Sequence, residues 1–187
     1  MTPTRSVEGN VLVSSDPPLR VSVAEGLPFV GQQAYTIREI AEAESFYFAA
    51  SDSGKITRLF MVQFEHFRPE VEGRYHYKLD STSTLGGLEW RTDVRCWSPW
   101  IAEEEDPGSD AVHDTRFLRT LGLESIREMI RLRCLRVLGE DRRAEVLLIY
   151  AEDVALHDLT CADEAAVGAL GPAFLRRAQT AFTVQAP

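Results

Sequence analysis

Gln63, Glu65 and His66 fall near the end of the stretch 59–67, LFMVQFEHF, and bring an amide, a carboxylate and an imidazole within four positions. A carboxylate removed from water takes up a proton more readily, and beside a histidine it is equipped for proton transfer or for holding a polar ligand. Strand alternation puts Leu59, Met61, Gln63, Glu65 and Phe67 on one face and Phe60, Val62, Phe64 and His66 on the other. Both faces are mainly apolar, so both call for cover by protein. Gln63 then needs hydrogen-bond partners, because an unsatisfied buried amide costs about 1–3 kcal/mol. Glu65 must reach water, pair with an arginine or take up a proton, and the expectation is that it reaches the rim of a pocket and pairs there. The plainer alternative is that the strand emerges at Arg68–Pro69 and leaves Glu65 and His66 wet.

Other polar groups fall at places where chemistry is feasible. In PGSDAVHD, Ser109 or Asp110 suits a helix cap. Asp110, His113 and Asp114 have metal-binding side chains, but caps in acidic loops are the commoner outcome and no metal is assigned. Glu152 and Asp153 end an apolar run, where acids either line a site or begin a loop. Arg74, His76, Lys78, Glu89, Arg91, Asp93 and Arg95 form the charged face of two alternating segments and read as a solvated, charge-paired surface. No Ser/His/Asp, Cys/His or glycine-rich phosphate signature occurs. The ligand-binding candidates are therefore Gln63, Glu65, His66, His113, Glu152 and Asp153, with catalytic residues and any cofactor undetermined.

Composition narrows the class. The 187 residues are 44% hydrophobic and 26% charged, as for ordinary globular proteins, and the net charge of −9 argues against nucleic acid as a partner. The charge is uneven. Residues 101–115 carry six acids and no base, whereas 116–143 carry eight arginines against four acids. Only Lys55 and Lys78 are lysines, a bias that reads as bacterial-like base composition. Three separated cysteines, Cys96, Cys134 and Cys161, offer neither a zinc spacing nor a disulfide framework, and Cys96 reads as an inert core thiol. There is no secretory leader and no apolar run of bilayer length, so a soluble, cytoplasmic protein without membrane contact is expected.

The elements that would position these groups change character along the chain. Residues 10–97 read as strands: NVLVS, LRVSVA, PFVGQQAYTI, a hairpin 45–67 turning at Asp52-Ser53-Gly54, then RYHYKLD and LEWRTDVRCW. Residues 36–44 fit a capped helix and a strand end equally. An acidic loop at 101–112 has little to bury. Residues 113–184 read as helix-rich, with a helix at 114–122 and a stronger one at 123–139 whose stripe is Ile126, Met129, Ile130, Cys134, Val137 and Leu138. A buried strand follows at 144–151, then a helix from 161 interrupted at Gly171-Pro172. The predicted fold is one α+β domain: a curved antiparallel meander of six or more strands with C-terminal helices packed on one face. The function expected is a non-catalytic module holding a small molecule or protein partner on the concave face of the sheet. The alternative is a small enzyme using Glu65 and a histidine for acid–base chemistry. Ligand identity, oligomeric state and the concave face are left open.

Overall fold

A computed structural model describes residues 4–78, 81–98 and 106–186. Among the described residues, eleven strands and two α-helices lie in the order β1 (Arg5–Glu8), β2 (Val11–Ser15), β3 (Pro18–Val23), β4 (Phe29–Ile37), β5 (Ala41–Asp52), β6 (Lys55–Phe67), β7 (Ser81–Leu85), β8 (Leu88–Trp97), α1 (Asp110–Thr120), β9 (Met129–Leu138), β10 (Ala144–Asp153), α2 (Glu164–Ala181) and β11 (Phe182–Gln185). They form two antiparallel sheets. One has seven strands in the order β4-β5-β6-β10-β9-β8-β7, and the other four in the order β1-β2-β3-β11. The single meander expected from the sequence is thus corrected to two sheets. The larger one joins two runs, β4-β5-β6 and β7-β8-β9-β10, through the pairing of β6 with β10.

That pairing explains the doubly apolar stretch 59–67. One face of the large sheet packs on the small sheet and α2 around Phe46, Phe60, Val62, Leu148 and Phe174, with Leu12 and Val21 opposite. The other carries a second cluster, Tyr47, Leu59, Met61, Leu135, Leu147 and Ile149, beneath Leu118 of α1. Strands buried on both sides read as near-continuous hydrophobic runs. The hairpin appears as expected, turning through Ser53 and Gly54 at φ of 51° and 84°. Such positive φ values match the right-handed twist of the flanking strands.

Three further expectations are corrected or resolved. Residues 36–44 are not a helix: Arg38 and Glu39 make a tight turn at φ of 47° and 61° between β4 and β5. Residues 72–78 cross the sheet as an irregular strap instead of a strand. The segment 123–139 is not a helix but mostly β9, paired with β10 from Met129 to Leu138 and with β8 from Met129 to Leu135. Both periods fit MIRLRCLRVL because its apolar side chains go to both faces, and two neighbouring ladders decide the matter. The helix-rich half accordingly holds β9, β10 and β11 beside α1 and α2. Residues 79, 80 and 99–105, including Trp100 and most acids of the 101–112 loop, lie outside the described residues.

The cysteines also differ from expectation. Cys96, at the end of β8, is bonded to Cys161, just before α2, and Cys134 alone is free and buried. Among the described residues no helix is long and apolar enough to cross a membrane.

The strand assignment makes a direct prediction. Ile130 and Leu135 point to opposite faces and are 1% and 0% exposed. Ile130→Ala and Leu135→Ala should each lower stability by about 2–5 kcal/mol in urea titrations. A helix with the expected stripe would spare Leu135, so an unchanged midpoint for that variant contradicts β9.

Candidate functional site

The face of the large sheet under α1 gathers a group of buried and half-buried polar side chains. Gln33 and Tyr35 come from β4, Ser45 and Tyr47 from β5, Gln63 and Glu65 from β6, and Glu145 from β10; α1 adds Asp114 and the strap adds Tyr75 and Tyr77. Alternation dictates this set, since in-register partners such as Gln33–Ser45 and Ser45–Gln63 face the same way. Helical spacing brings Asp114 in, because Ala111, Thr115 and Leu118 are the buried side of α1 and Asp114 belongs to the same stripe.

Apart from Tyr77 and Glu145, which bond to each other, these groups form a continuous chain. Gln33 Nε2 donates to Tyr47 Oη (2.6 Å), and Tyr47 donates to Asp114 Oδ1 (2.5 Å). Tyr35 Oη lies 3.2 Å from Asp114 Oδ1 and 3.3 Å from both Gln63 Oε1 and Ser45 Oγ. Gln63 Nε2 donates to Glu65 Oε2 (2.9 Å), and Tyr75 donates to Glu65 Oε1 (2.7 Å). The strap carrying Tyr75 is fastened by Arg142, whose Nε and Nη2 donate to the Tyr75 carbonyl at 3.0 and 2.8 Å. Its Gly73 lies so close to Phe67 that a Cβ would stand 2.6 Å from the ring, so no larger residue fits without displacing it.

Carboxylates dominate the electrostatics. Glu145 is directly opposite Glu65 in the β6–β10 register. Tyr77 donates to Glu145 Oε1 at 2.8 Å, whereas Oε2 is buried with no partner. Burial first, and then Glu65, push Glu145 up to about 8, against the lowering influence of Tyr77 and Arg133. Glu65 is raised for the same leading reason, burial, although Tyr75 and Gln63 favour its charged form. Asp114 is pushed up to about 8 by burial and by Asp110. Two like charges across adjacent strands repel, so the pair is most stable holding a proton. Tyr35, Tyr47, Tyr75 and Tyr77 are all raised, chiefly by burial, and keep their protons as donors.

Beside this network, between α1 and strands β6, β9 and β10, lies a cavity of about 210 Å³. Its floor is Ile56, Leu59, Met61, Ile126, Met129 and Ile149, and its polar lining is Asp110, Asp114, Thr115, Ser125, Arg131 and Arg133. Arg133 is held by Asp93 through Nε (3.2 Å) and Nη2 (2.9 Å), and Arg95 Nε reaches the same carboxylate at 3.1 Å. Arg131 stacks over the Trp97 ring at 4.6 Å, and its buried Nε has no hydrogen-bond partner; nor has Ser125 Oγ. Burial and the neighbouring Arg133 lower the affinity of Arg131 for its proton.

The sequence candidates divide. Gln63 and Glu65 lie in the network, Glu65 partnered by Tyr75 and Gln63 instead of an arginine. His113 stands at its edge, stacked on Tyr35 with centroids 4.6 Å apart. His66 lies on the opposite face, exposed, with its Nε2 3.9 Å from Glu42. Glu152 is also on the opposite face, where Tyr150 Oη donates at 2.7 Å, Arg177 at 2.7–3.1 Å, and His157 stands at 3.5 Å. Asp153 pairs with Lys55 (3.3 Å) and caps the following turn through Ala155 N (2.9 Å). Among the described residues no group of three or more His, Cys, Asp or Glu is arranged for a metal ion. Asp110 instead accepts from its neighbour Ala111 N (2.8 Å).

Tyr35, Tyr47, Tyr75, Tyr77, Glu145, Arg131 and Ser125 were not singled out from the sequence as ligand groups. Glu145 carried a readable signal, sharing its strand face with Leu147 and Ile149. No family model, curated protein or solved structure was found to match this chain.

The acid pair sets a pH dependence. A carboxyl whose folded pKa is raised binds protons more tightly when folded, so its contribution is complete below about pH 4 and lost as pH rises towards 8. Glu145→Gln keeps the shape and removes the charge. It should raise the unfolding midpoint at pH 8, leave it nearly unchanged at pH 4.5, and flatten the slope between. Equal midpoints for variant and parent at pH 8 would contradict the buried pair.

Proposed function

We propose that this chain is a small-molecule-binding module whose ligand occupies the cavity between α1 and the seven-stranded sheet. The observation supporting it is an apolar floor combined with two buried polar atoms, Arg131 Nε and Ser125 Oγ, that lack partners. Leaving a buried donor unsatisfied costs about 1–3 kcal/mol and more for a charged group, which a ligand able to accept from it would offset. Apolar walls with a few convergent polar groups are also the usual composition of a ligand site. A volume of about 210 Å³ corresponds to roughly seven waters, so the ligand is small. A larger groove of about 670 Å³ between β7 and α2 has no buried unpartnered polar atom among its described lining residues, and it is not the preferred site.

A second reading, acid–base catalysis, is favoured by the opposed Glu65 and Glu145. One carboxyl holding a proton beside one carboxylate is the division of roles that general acid–base chemistry needs. The histidine expected beside Glu65 has no part in it, since His66 faces away and His113 contacts Tyr35. A protein partner has less support: of the exposed large apolar side chains among the described residues, Val13, Ile40, Val94, Leu121, Leu156 and Leu175, only Val94 and Leu175 line a common groove. A nucleic-acid partner does not fit the net charge of −9.

A cytoplasmic location is the reading from the sequence, and the Cys96–Cys161 bond bears on it, because disulfides persist in oxidising compartments and are rare in the cytosol. With thiols trapped at lysis of the native host, a cytoplasmic chain should label at all three cysteines after unfolding. Labelling of Cys134 alone would place it in an oxidising compartment.

The cavity reading predicts that native mass spectrometry of the purified protein finds a small adduct. Ile149→Trp, which fills the floor, should abolish the adduct while the far-UV circular dichroism is retained. An adduct that survives this substitution would put the ligand elsewhere, and an adduct of altered mass after turnover would favour catalysis.

A further inference from the structure

Resting on the cavity reading above, we infer that the ligand is a small monocarboxylate with a compact apolar body, its carboxylate received by Arg131 and Ser125. Three arginines stand along the β8–β9 rim, and Asp93 engages two of them. Its carboxylate takes Arg133 through two bonds and Arg95 through one. Arg131 is left with Trp97, a contact that fixes the guanidinium plane without accepting from its N–H groups. A guanidinium clamped by stacking keeps its in-plane donors for a planar acceptor, and carboxylate matches that fork.

The acids in the same cavity balance Arg131 only in part: Asp110 favours its charged form through space without bonding to it. Asp114 accepts the Tyr47 hydroxyl and is close to Tyr35, and its raised pKa leaves it mostly neutral at pH 7. Asp110 accepts from Ala111 N at the start of α1. Neither lies within ion-pair distance of Arg131 among the contacts of the described residues. An ammonium ligand would add charge beside an unneutralised guanidinium, whereas an anion supplies what is missing. A dianion such as phosphate would add a second charge facing Asp110. One negative charge suits one free arginine. The remaining floor, with Leu59, Met61, Met129 and Ile149, offers only apolar contact, so the body of the ligand is apolar.

The test compares hexanoate, hexan-1-ol and hexylamine by calorimetric and NMR titration at pH 7. Hexanoate should bind at least tenfold more tightly than the alcohol, with no saturable binding of the amine. Arg131→Met should weaken hexanoate at least tenfold and leave hexan-1-ol unchanged, while its unfolding midpoint stays at or above that of the parent, because it removes a buried unpaired charge. Ser125→Ala should weaken hexanoate two- to fivefold. If the alcohol or amine binds as tightly as hexanoate, or if Arg131→Met leaves hexanoate unaffected, the carboxylate assignment is overturned and the cavity reading stands. If none of the three binds and the native adduct persists in Ile149→Trp, the cavity reading falls with it.

Discussion

Strands β6 and β10 run through the middle of a sheet that has protein on both faces, so a polar side chain at Gln63 or Glu145 has no bulk water to turn to. Burying an amide or carboxyl without a partner costs several times what one hydrogen bond contributes to stability. The buried polar groups on these strands therefore recruit others. Gln63, fully buried, draws Tyr35 and Ser45 to its carbonyl and Glu65 to its amide. Glu65 in turn takes the Tyr75 hydroxyl, which ties the strap to the sheet. One amide on one strand thus helps to fix the positions of β4, β5 and the strap, and through Tyr35 that of α1.

The two glutamates of β10 show how the same constraint is met in two ways. Glu145 and Glu152 are each 2% exposed, on opposite faces of one strand. Glu152 faces α2, where Arg177 binds it through both nitrogens and Tyr150 adds a hydroxyl, and these contacts outweigh burial and hold it below the usual carboxylate range. Glu145 has no arginine bonded to it, only Tyr77 and the opposing Glu65, and it rises. One end of the strand is locked by an ion pair that fastens α2. The other is left protonatable. An ion pair that fixes a helix serves architecture, whereas a strained acid pair serves stability poorly, and proteins retain such pairs mainly where chemistry or binding is served.

How much of this was legible varies with the physics. The hairpin 45–67 was readable because Asp52-Ser53-Gly54 supplies its own turn geometry, and β8 because it alternates. A helix was readable at 114–122, although it begins four residues earlier, at Asp110, and ends at Thr120. The segment 129–138 was not, because a strand with apolar residues on both faces loses the alternation that marks it, and Ile126, Met129, Ile130 and Cys134 happen to recur at helical spacing. That error hid the site. Read as a helix, Arg131 and Arg133 are solvated side chains; read as a strand, they stand with Met129 and Leu135 on an inner face. The 96–161 disulfide joins elements 65 residues apart and had no local signature. Gln63 and Glu65 were legible as anomalies, amide and acid on a strand with no wet face, although the partners that answer them come from elsewhere in the chain.

α1 connects the network to the cavity. Tyr35 and Tyr47 grip Asp114, the Tyr35 ring stacks on His113 and the Tyr47 ring packs at a tilt against Phe117, so the helix leans on the β4–β5 side of the sheet. On its other side it stands over β6, β9 and β10, where the cavity opens. Apolar floor residues alone would favour collapse of the helix onto the sheet, since empty space forfeits contact energy. Two features oppose that closure. The tyrosine–aspartate grip sets the position of the helix from the side, and Arg131 with Arg133 line the gap with charge that collapse would desolvate further. Replacing Arg131 with an apolar residue of similar length would remove the unsatisfied guanidinium, whereas the grip on Asp114 would still hold the helix off the sheet and keep the space open.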